Sequence, residues 1–295
     1  MHLNKLRDST GKKLVEYIEI NSWLFFTRME GGKYASEVDE VNFDQNYYVT
    51  WGSNHAIVLD EGKTVQLLID EYSGGGYSSK QDYVSGHFGM RMKIPKKNSK
   101  GVITTFYLTS VPVNQQASNY HDEIDFEFLG NNGMPYTLHT NVFASDNGGR
   151  EQEFHLWFDP TEDFHTYEIL WNQHQIVFFV DKVPIRVFKN NTNIGVNFPS
   201  QSMHIEASIW NSTSWQGDVD WSKGPFTAFY QAFKIHGCPY QSSNPHMCYS
   251  LALPWNGEDW QLNPQQRAIL GDVRKNYMTY DYCSQRSQNY PECSS

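Results

Sequence analysis

Between residues 45 and 235 the apolar positions come in short runs rich in β-branched and aromatic residues, each broken by turn-forming residues. That is the pattern of strands, not helices. Residues 64–71, 86–94, 102–109, 136–143, 166–171, 176–180, 183–188, 204–209 and 227–235 each read as a strand. Ser73-Gly74-Gly75-Gly76 reads as a flexible loop, and Asp181-Lys182 as a tight hairpin turn between two strands. Many strands, short turns and almost no helical periodicity predict an all-β sandwich or barrel over an alternating α/β fold.

After Gly237 the pattern changes. Asn263-Pro264 followed by QQRAILGDVRKNY has a capping residue and a proline suited to the first turn, so it predicts a helix. Ile269, Leu270, Val273 and Tyr277 form its apolar stripe, expected to pack on the sandwich. The chain divides into an N-terminal extension of no clear pattern (1–34), a β-sandwich catalytic domain (35–237) and a C-terminal extension (238–295).

Composition then narrows the partners. The formal net charge of -10 disfavours phosphate backbones and anionic membranes. No uncharged apolar run approaches the ~18 residues of a membrane span. Aromatics reach 15% of the chain, more than core packing requires, and flat rings suit stacking on sugars. The four cysteines, Cys238, Cys248, Cys283 and Cys293, form two pairs, each with nine residues between its members. Three pairings are possible, and two local disulfides are the simplest. Neither zinc spacing nor CxxC occurs. Disulfides imply an oxidising compartment, and the sequons at Asn190 and Asn211 are compatible with export. A signal peptide is not evident: the best apolar stretch, residues 20–27, is short and contains Asn21 and Ser22.

The informative segment is His121-Asp122-Glu123-Ile124-Asp125-Phe126-Glu127-Phe128-Leu129-Gly130. Read at period two, Ile124, Phe126 and Phe128 point one way, and Glu123, Asp125 and Glu127 the other. Like charges at successive same-face positions sit roughly 7 Å apart at the backbone, and neither Asp nor Glu favours strands. A merely solvated strand face gives no reason for that row. Calcium wants six or more oxygens and a loop that wraps the ion, which a flat strand lacks. No metal and no cofactor is expected.

Two carboxyl groups flanking one glycosidic bond are what glycoside cleavage needs. Glu123 is expected to attack the anomeric carbon, with Glu127 as general acid and then base. Asp125 can share a proton with Glu123, and its charge helps to hold Glu127 protonated. The Glu123 and Glu127 backbones lie roughly 13 Å apart along a strand. A retaining enzyme needs its carboxyl groups at roughly 5–5.5 Å and an inverting one wider. Side-chain lean decides between them, and residue spacing does not.

The ten-residue segment resembles, at all ten positions, the HDEIDFEFLG signature of plant xyloglucan endotransglucosylase/hydrolases, a branch of glycoside hydrolase family 16. Phe43-Asp44, Val49-Thr50-Trp51-Gly52, residues 73–80 (SGGGYSSK), Phe106-Tyr107-Leu108, Leu156-Trp157-Phe158-Asp159-Pro160, Trp221-Ser222-Lys223 and the tail around Cys283 and Cys293 are similar to further landmarks of that family. The resemblance covers residues 40–293. It implies a jelly-roll (concanavalin-like) sandwich with a cleft across one face. It implies an endo-acting cut in a β-1,4-glucan backbone with transfer to another chain, and sequential disulfides. Glu123 carries over as nucleophile, Asp125 as helper and Glu127 as acid/base. His139, Thr140, Asn141, Arg150, Glu151, Ser214, Trp215 and Gly217 fall where the family contacts sugar.

The departures are specific. Asn131-Asn132-Gly133-Met134 lacks the usual sequon, Trp215-Gln216-Gly217 replaces a Trp-Ala-Thr-x-Gly pattern, and Arg286 lies early in the last cysteine loop. Predominantly hydrolytic relatives have a longer loop after the 140–143 strand than residues 144–149 supply. The expected activity is therefore xyloglucan endotransglucosylation by a secreted, monomeric cell-wall enzyme whose partner is xyloglucan or a related β-glucan. An endo-hydrolase and a non-catalytic carbohydrate-binding sandwich are the alternatives, and the second should have lost at least one of the three acids.

Overall fold

The computed structural model describes residues 40–96, 98–118, 120–241, 245–257 and 261–294. All of them fall in one compact unit, Asp39–Ser295. The expected extension over 1–34 and the apolar stretch 20–27 lie outside the described residues. The strands are β1 (Tyr47–Trp51), β2 (Ala56–Leu59), β3 (Thr64–Ile69), β4 (Gly75–Ser79), β5 (Tyr83–Lys93), β6 (Val102–Thr109), β7 (Asp122–Leu129), β8 (Thr137–Ala144), β9 (Gln152–His155), β10 (His165–Trp171), β11 (Gln175–Val180), β12 (Val183–Lys189), β13 (His204–Asn211), β14 (Phe226–Pro239) and β15 (Met278–Asp281).

They form the two antiparallel sheets of a jelly-roll sandwich. One is ordered β1-β4-β13-β6-β7-β8-β9-β15, the other β12-β11-β10-β5-β14-β3-β2. Strand β7 lies near the middle of the first sheet. Its Ile124, Phe126 and Phe128 are fully buried. Phe126 packs edge-on to Phe178 of β11 at 5.1 Å, and Phe128 to Tyr167 of β10 at 5.1 Å. Each such ring contributes about 1.5–3 kcal/mol by burial. The inner face of β7 is thereby fixed, and alternation sends Glu123, Asp125 and Glu127 to the outer face.

The turn at Asp181-Lys182 forms as expected, with both residues at positive φ (49° and 65°), as a two-residue hairpin turn of this hand requires. The glycine stretch is corrected. Gly75 and Gly76 are not in a loop; they open β4, whose five residues are all buried.

In the extension, a helix spans Pro264–Asn276 with a reciprocal capping box between Asn263 and Gln266. Val273 is buried, with Ile269 and Tyr277 partly buried against the main core, so three of the four stripe residues pack on the sandwich as expected, and Leu270 is half-buried outside that cluster. Strand β15 then pairs with β9, adding an eighth strand to the acid-bearing sheet. Cys238–Cys248 and Cys283–Cys293 are bonded, as the simplest pairing has it.

Candidate active site

The register places the site. Glu123 lies opposite Thr109 of β6 and Phe143 of β8, Asp125 opposite Tyr107 and Asn141, and Glu127 opposite Thr105 and His139. Directly opposed residues share a face. The acids are therefore flanked by Thr105, Tyr107 and Thr109 on one side and by His139, Asn141 and Phe143 on the other.

The three acids differ in depth. Glu123 and Glu127 keep 20% and 18% of their side chains exposed, whereas Asp125 keeps only 4%. Burial, then the charges of Glu123 and Glu127, hold the Asp125 pKa well above the ordinary 3.8, and it hydrogen-bonds Glu123. Burial thus favours a proton on Asp125, as the expected proton sharing with Glu123 needs, and disfavours the charge it was expected to present to Glu127. Its proton can be given to the hydrogen bond with Glu123, which orients that side chain.

Each outer acid has a histidine. His139 Nδ1 is 2.9 Å from Glu127 Oε2, and the His139 and Trp215 rings meet near-perpendicular with centroids 5.3 Å apart. His121 Nε2 is 3.9 Å from Glu123 Oε1, while its Nδ1 meets Ser118 O at 2.5 Å. The Glu123 contact raises the His121 pKa above its usual 6.5.

Asn141 is held by its Oδ1, which accepts from Val142 N (2.9 Å) and Arg150 N (3.1 Å). Its amide N–H groups are what it can offer a sugar hydroxyl. Ser214, Trp215 and the left-handed Gly217 (φ 83°) belong to the turn after β13, with Trp215 43% exposed. Glu151 stands half-buried at the head of β9.

Two residues expected at the sugar are placed elsewhere. Thr140 lies between His139 and Asn141, so alternation turns it inward. It is fully buried and its Oγ1 donates to Gln152 O and accepts from Arg186. Arg150 is also buried, paired with Asp146 and Glu292 at 2.8 Å each, and so ties the β8–β9 connection to the C-terminal extension.

Sequence reasoning missed two neighbours. Tyr107 donates to Glu206 at 2.5 Å, and burial followed by the charge of Glu206 keeps its phenol protonated far above the ordinary range. Arg186, behind the sheet, donates to Thr140 O (2.8 Å) and Arg150 O (2.6 Å). Burial pushes its pKa down to about 10, and its charge acts on Asp125. Tyr107 was legible as one of three same-face residues of a predicted strand, but only register aligns it with Asp125. Among the described residues, no group of three or more His, Cys, Asp or Glu side chains is placed to hold a metal ion.

Replacing Asp125 by Asn tests its protonated state. A carboxyl whose folded pKa exceeds its unfolded one keeps a proton that the unfolded chain has lost. The wild-type fold therefore weakens as pH rises from about 4 through the raised value. Asp125→Asn removes that loss, so its thermal midpoint should gain on the wild type's as pH rises from about 4 toward the raised pKa, while turnover falls. A midpoint difference that shrinks over this range would contradict the assignment.

Residues 43–223 match the family of glycosyl hydrolases 16, and residues 246–293 match the xyloglucan endo-transglycosylase C-terminus. Over 260 residues the chain is 50% identical to xyloglucan endotransglucosylase/hydrolase protein 2 of Arabidopsis thaliana, covering 85% of this chain and 87% of that one. The chain belongs to the xyloglucan endotransglucosylase/hydrolase branch of glycoside hydrolase family 16. Xyloglucan endotransglucosylase protein 34 of Populus tremula x Populus tremuloides is 45% identical over 260 residues, 85% of this chain and 86% of that one. Among solved structures, a prokaryotic β-1,3-1,4-glucanase from a mouse hindgut metagenome shares the fold at TM-score 0.55 and 24% identity, over 68% of this chain and 98% of that one. Apo Crh5 transglycosylase does so at TM-score 0.55 and 22% identity, over 77% and 88%. The second family match covers β15 and both ends of the second disulfide, so the added strand belongs to the branch's own C-terminal segment.

Proposed function

We propose that this protein cuts the β-1,4-glucan backbone of xyloglucan with retention and transfers the new end to another glucan chain, in the plant cell wall. Glu123, oriented by the Asp125 proton, attacks the anomeric carbon. The bond from that carbon to the bridging oxygen breaks, and the Glu127 proton goes to the departing oxygen. The released chain leaves. A hydroxyl of the acceptor then attacks the same carbon, its proton passes to Glu127, and the Glu123 carboxylate is freed.

One observation supports transfer over hydrolysis: Glu127 is bonded to His139, and the exposed Trp215 ring stands against that histidine. An aromatic surface beside the acid/base can hold an acceptor sugar where the proton must be taken. Water at ~55 M is outcompeted only by an acceptor of high effective molarity, and positioning supplies that. The two disulfides support an oxidising, extracellular setting. Among the described residues no helix is long and apolar enough to cross a membrane.

The test incubates the protein with xyloglucan, mixed-linkage glucan or soluble cellulose derivative plus a labelled xyloglucan oligosaccharide. Label entering the polymer, highest with xyloglucan as donor, is the expected result. New reducing ends without label would make the protein a hydrolase.

A further inference from the structure

Charge is segregated between the two sheets of the sandwich. The strands of the acid-bearing sheet contain no lysine or arginine, and Glu153, Glu206 and Asp281 add to the acids of β7 there. The strands of the other sheet hold Arg91, Lys93, Arg186, Lys189 and Lys234 against a single carboxylate, Glu168. The net charge of -10 therefore covers an acidic front and a basic back. A polyanion that the whole molecule would repel can still be drawn to one face.

Alternation puts the cations of β5 on the outer surface. Phe88, Met90 and Met92 are buried in the core, which turns Gly89, Arg91 and Lys93 outward. On β14, Lys234 lies opposite Gly89 and Phe229 opposite Lys93. The one acid of this sheet is already engaged. A Cβ on Gly89 would lie 2.7 Å from Glu168 Cγ, so the missing side chain lets Glu168 lie over β5. It comes within 3.7 Å of Lys234 Nζ and 3.9 Å of His87 Nε2. Arg91 donates to Phe164 O at 2.9 Å, and its guanidinium lies 5.8 Å from the Phe164 ring. Lys93 Nζ lies 5.0 Å from that ring and 5.4 Å from the Phe229 ring. Among the described residues no carboxylate pairs with either cation. Phe164 and Phe229 are half-buried, with ring centroids 6.5 Å apart, and belong to neither hydrophobic cluster of the core.

We infer that the outer face of this second sheet is a docking surface for a linear polyuronate. Arg91 and Lys93 take its carboxylates, Phe164 and Phe229 meet the C–H faces of its pyranose rings, and Lys189 and Lys234 add to the attracting field. Unpaired cations alone would suit any anion; aromatic rings set between them suit an anion carried on a sugar ring. A polymer seated there leaves the acid-bearing sheet facing away from it, open to a neutral glucan. The inference stands on charge and geometry and does not need the activity proposed above.

The test measures binding of the full chain to demethylated polygalacturonate, with a chelator present so that calcium cannot bridge the polymer to the acidic sheet. Binding should weaken steeply with salt and vanish near 1 M, where the Debye length is about 3 Å. The fully methyl-esterified polymer should not bind. Arg91→Gln with Lys93→Gln should weaken binding about fivefold, and Arg91→Glu with Lys93→Glu should abolish it. Lys93→Arg should retain it. In the labelled-acceptor assay kcat and KM of the glutamine variant should match wild type, which also shows that it is folded. Phe164→Leu with Phe229→Leu should weaken binding while leaving its salt dependence unchanged. No binding by the wild type, or equal binding by the charge-reversed variant, would overturn the inference. Tighter binding to single-stranded DNA or to anionic phospholipid vesicles than to the polyuronate would overturn the choice of occupant.

Discussion

Glu123→Ala should abolish both cleavage and transfer, by about 10⁴-fold or more, as removal of a covalent nucleophile does, while leaving the fold intact. The side chain stands on the outer face of β7, and the strand's core residues, Ile124, Phe126 and Phe128, are on the other face, so little core is lost. Its removal takes a negative charge away from buried Asp125 but also the acceptor of its hydrogen bond, and the two effects on stability oppose each other. The thermal midpoint should therefore shift by only a few degrees, with cooperative unfolding retained. Loss of activity with a retained cooperative fold separates this variant from one that merely misfolds. A small anion such as azide can enter the space left by the carboxylate and attack the anomeric carbon. An activated aryl glucoside should then yield a glycosyl azide of inverted configuration, which product analysis detects. Full cleavage of glucan by Glu123→Ala would remove Glu123 from the mechanism.

How far this site was legible depends on the range of the interaction. The acid row needed only alternation along one strand, and Ile124, Phe126 and Phe128 supplied it. The helix start needed only Asn263, Pro264 and Gln266. Thr140 shows the same rule neglected: His139, Thr140 and Asn141 cannot all reach one face of a strand, and alternation places Thr140 inward. The glycines of β4 were unreadable for a different reason. Glycine carries no strand signal, and what requires it at Gly76 is the Trp51 ring and the Ala207 carbonyl, 25 and 131 residues away in sequence. Arg150 looked like a sugar ligand because its partner, Glu292, is 142 residues away. The Tyr107–Glu206 pair, 99 residues apart, was hidden in the same way.

Glu127→Gln should separate the two chemical steps. Glutamine has nearly the shape of glutamate and can still hydrogen-bond His139 Nδ1, so the 2.9 Å contact and the Trp215 ring against His139 should persist. What it lacks is a transferable proton. On glucan, whose leaving hydroxyl is a poor leaving group without protonation, the first step should slow by about 10²–10⁴-fold. An aryl glycoside with an acidic phenol needs no such help, and its first step should run near the wild-type rate. The second step, however, still needs a base to take the acceptor's proton, and glutamine is none. The glycosyl-enzyme should then accumulate, giving a burst of phenol close to one equivalent per enzyme and a mass increase located on Glu123. Equal slowing of glucan and aryl glycoside, with no burst, would assign proton transfer to another group, and His139 or His121 would be the next residue to replace.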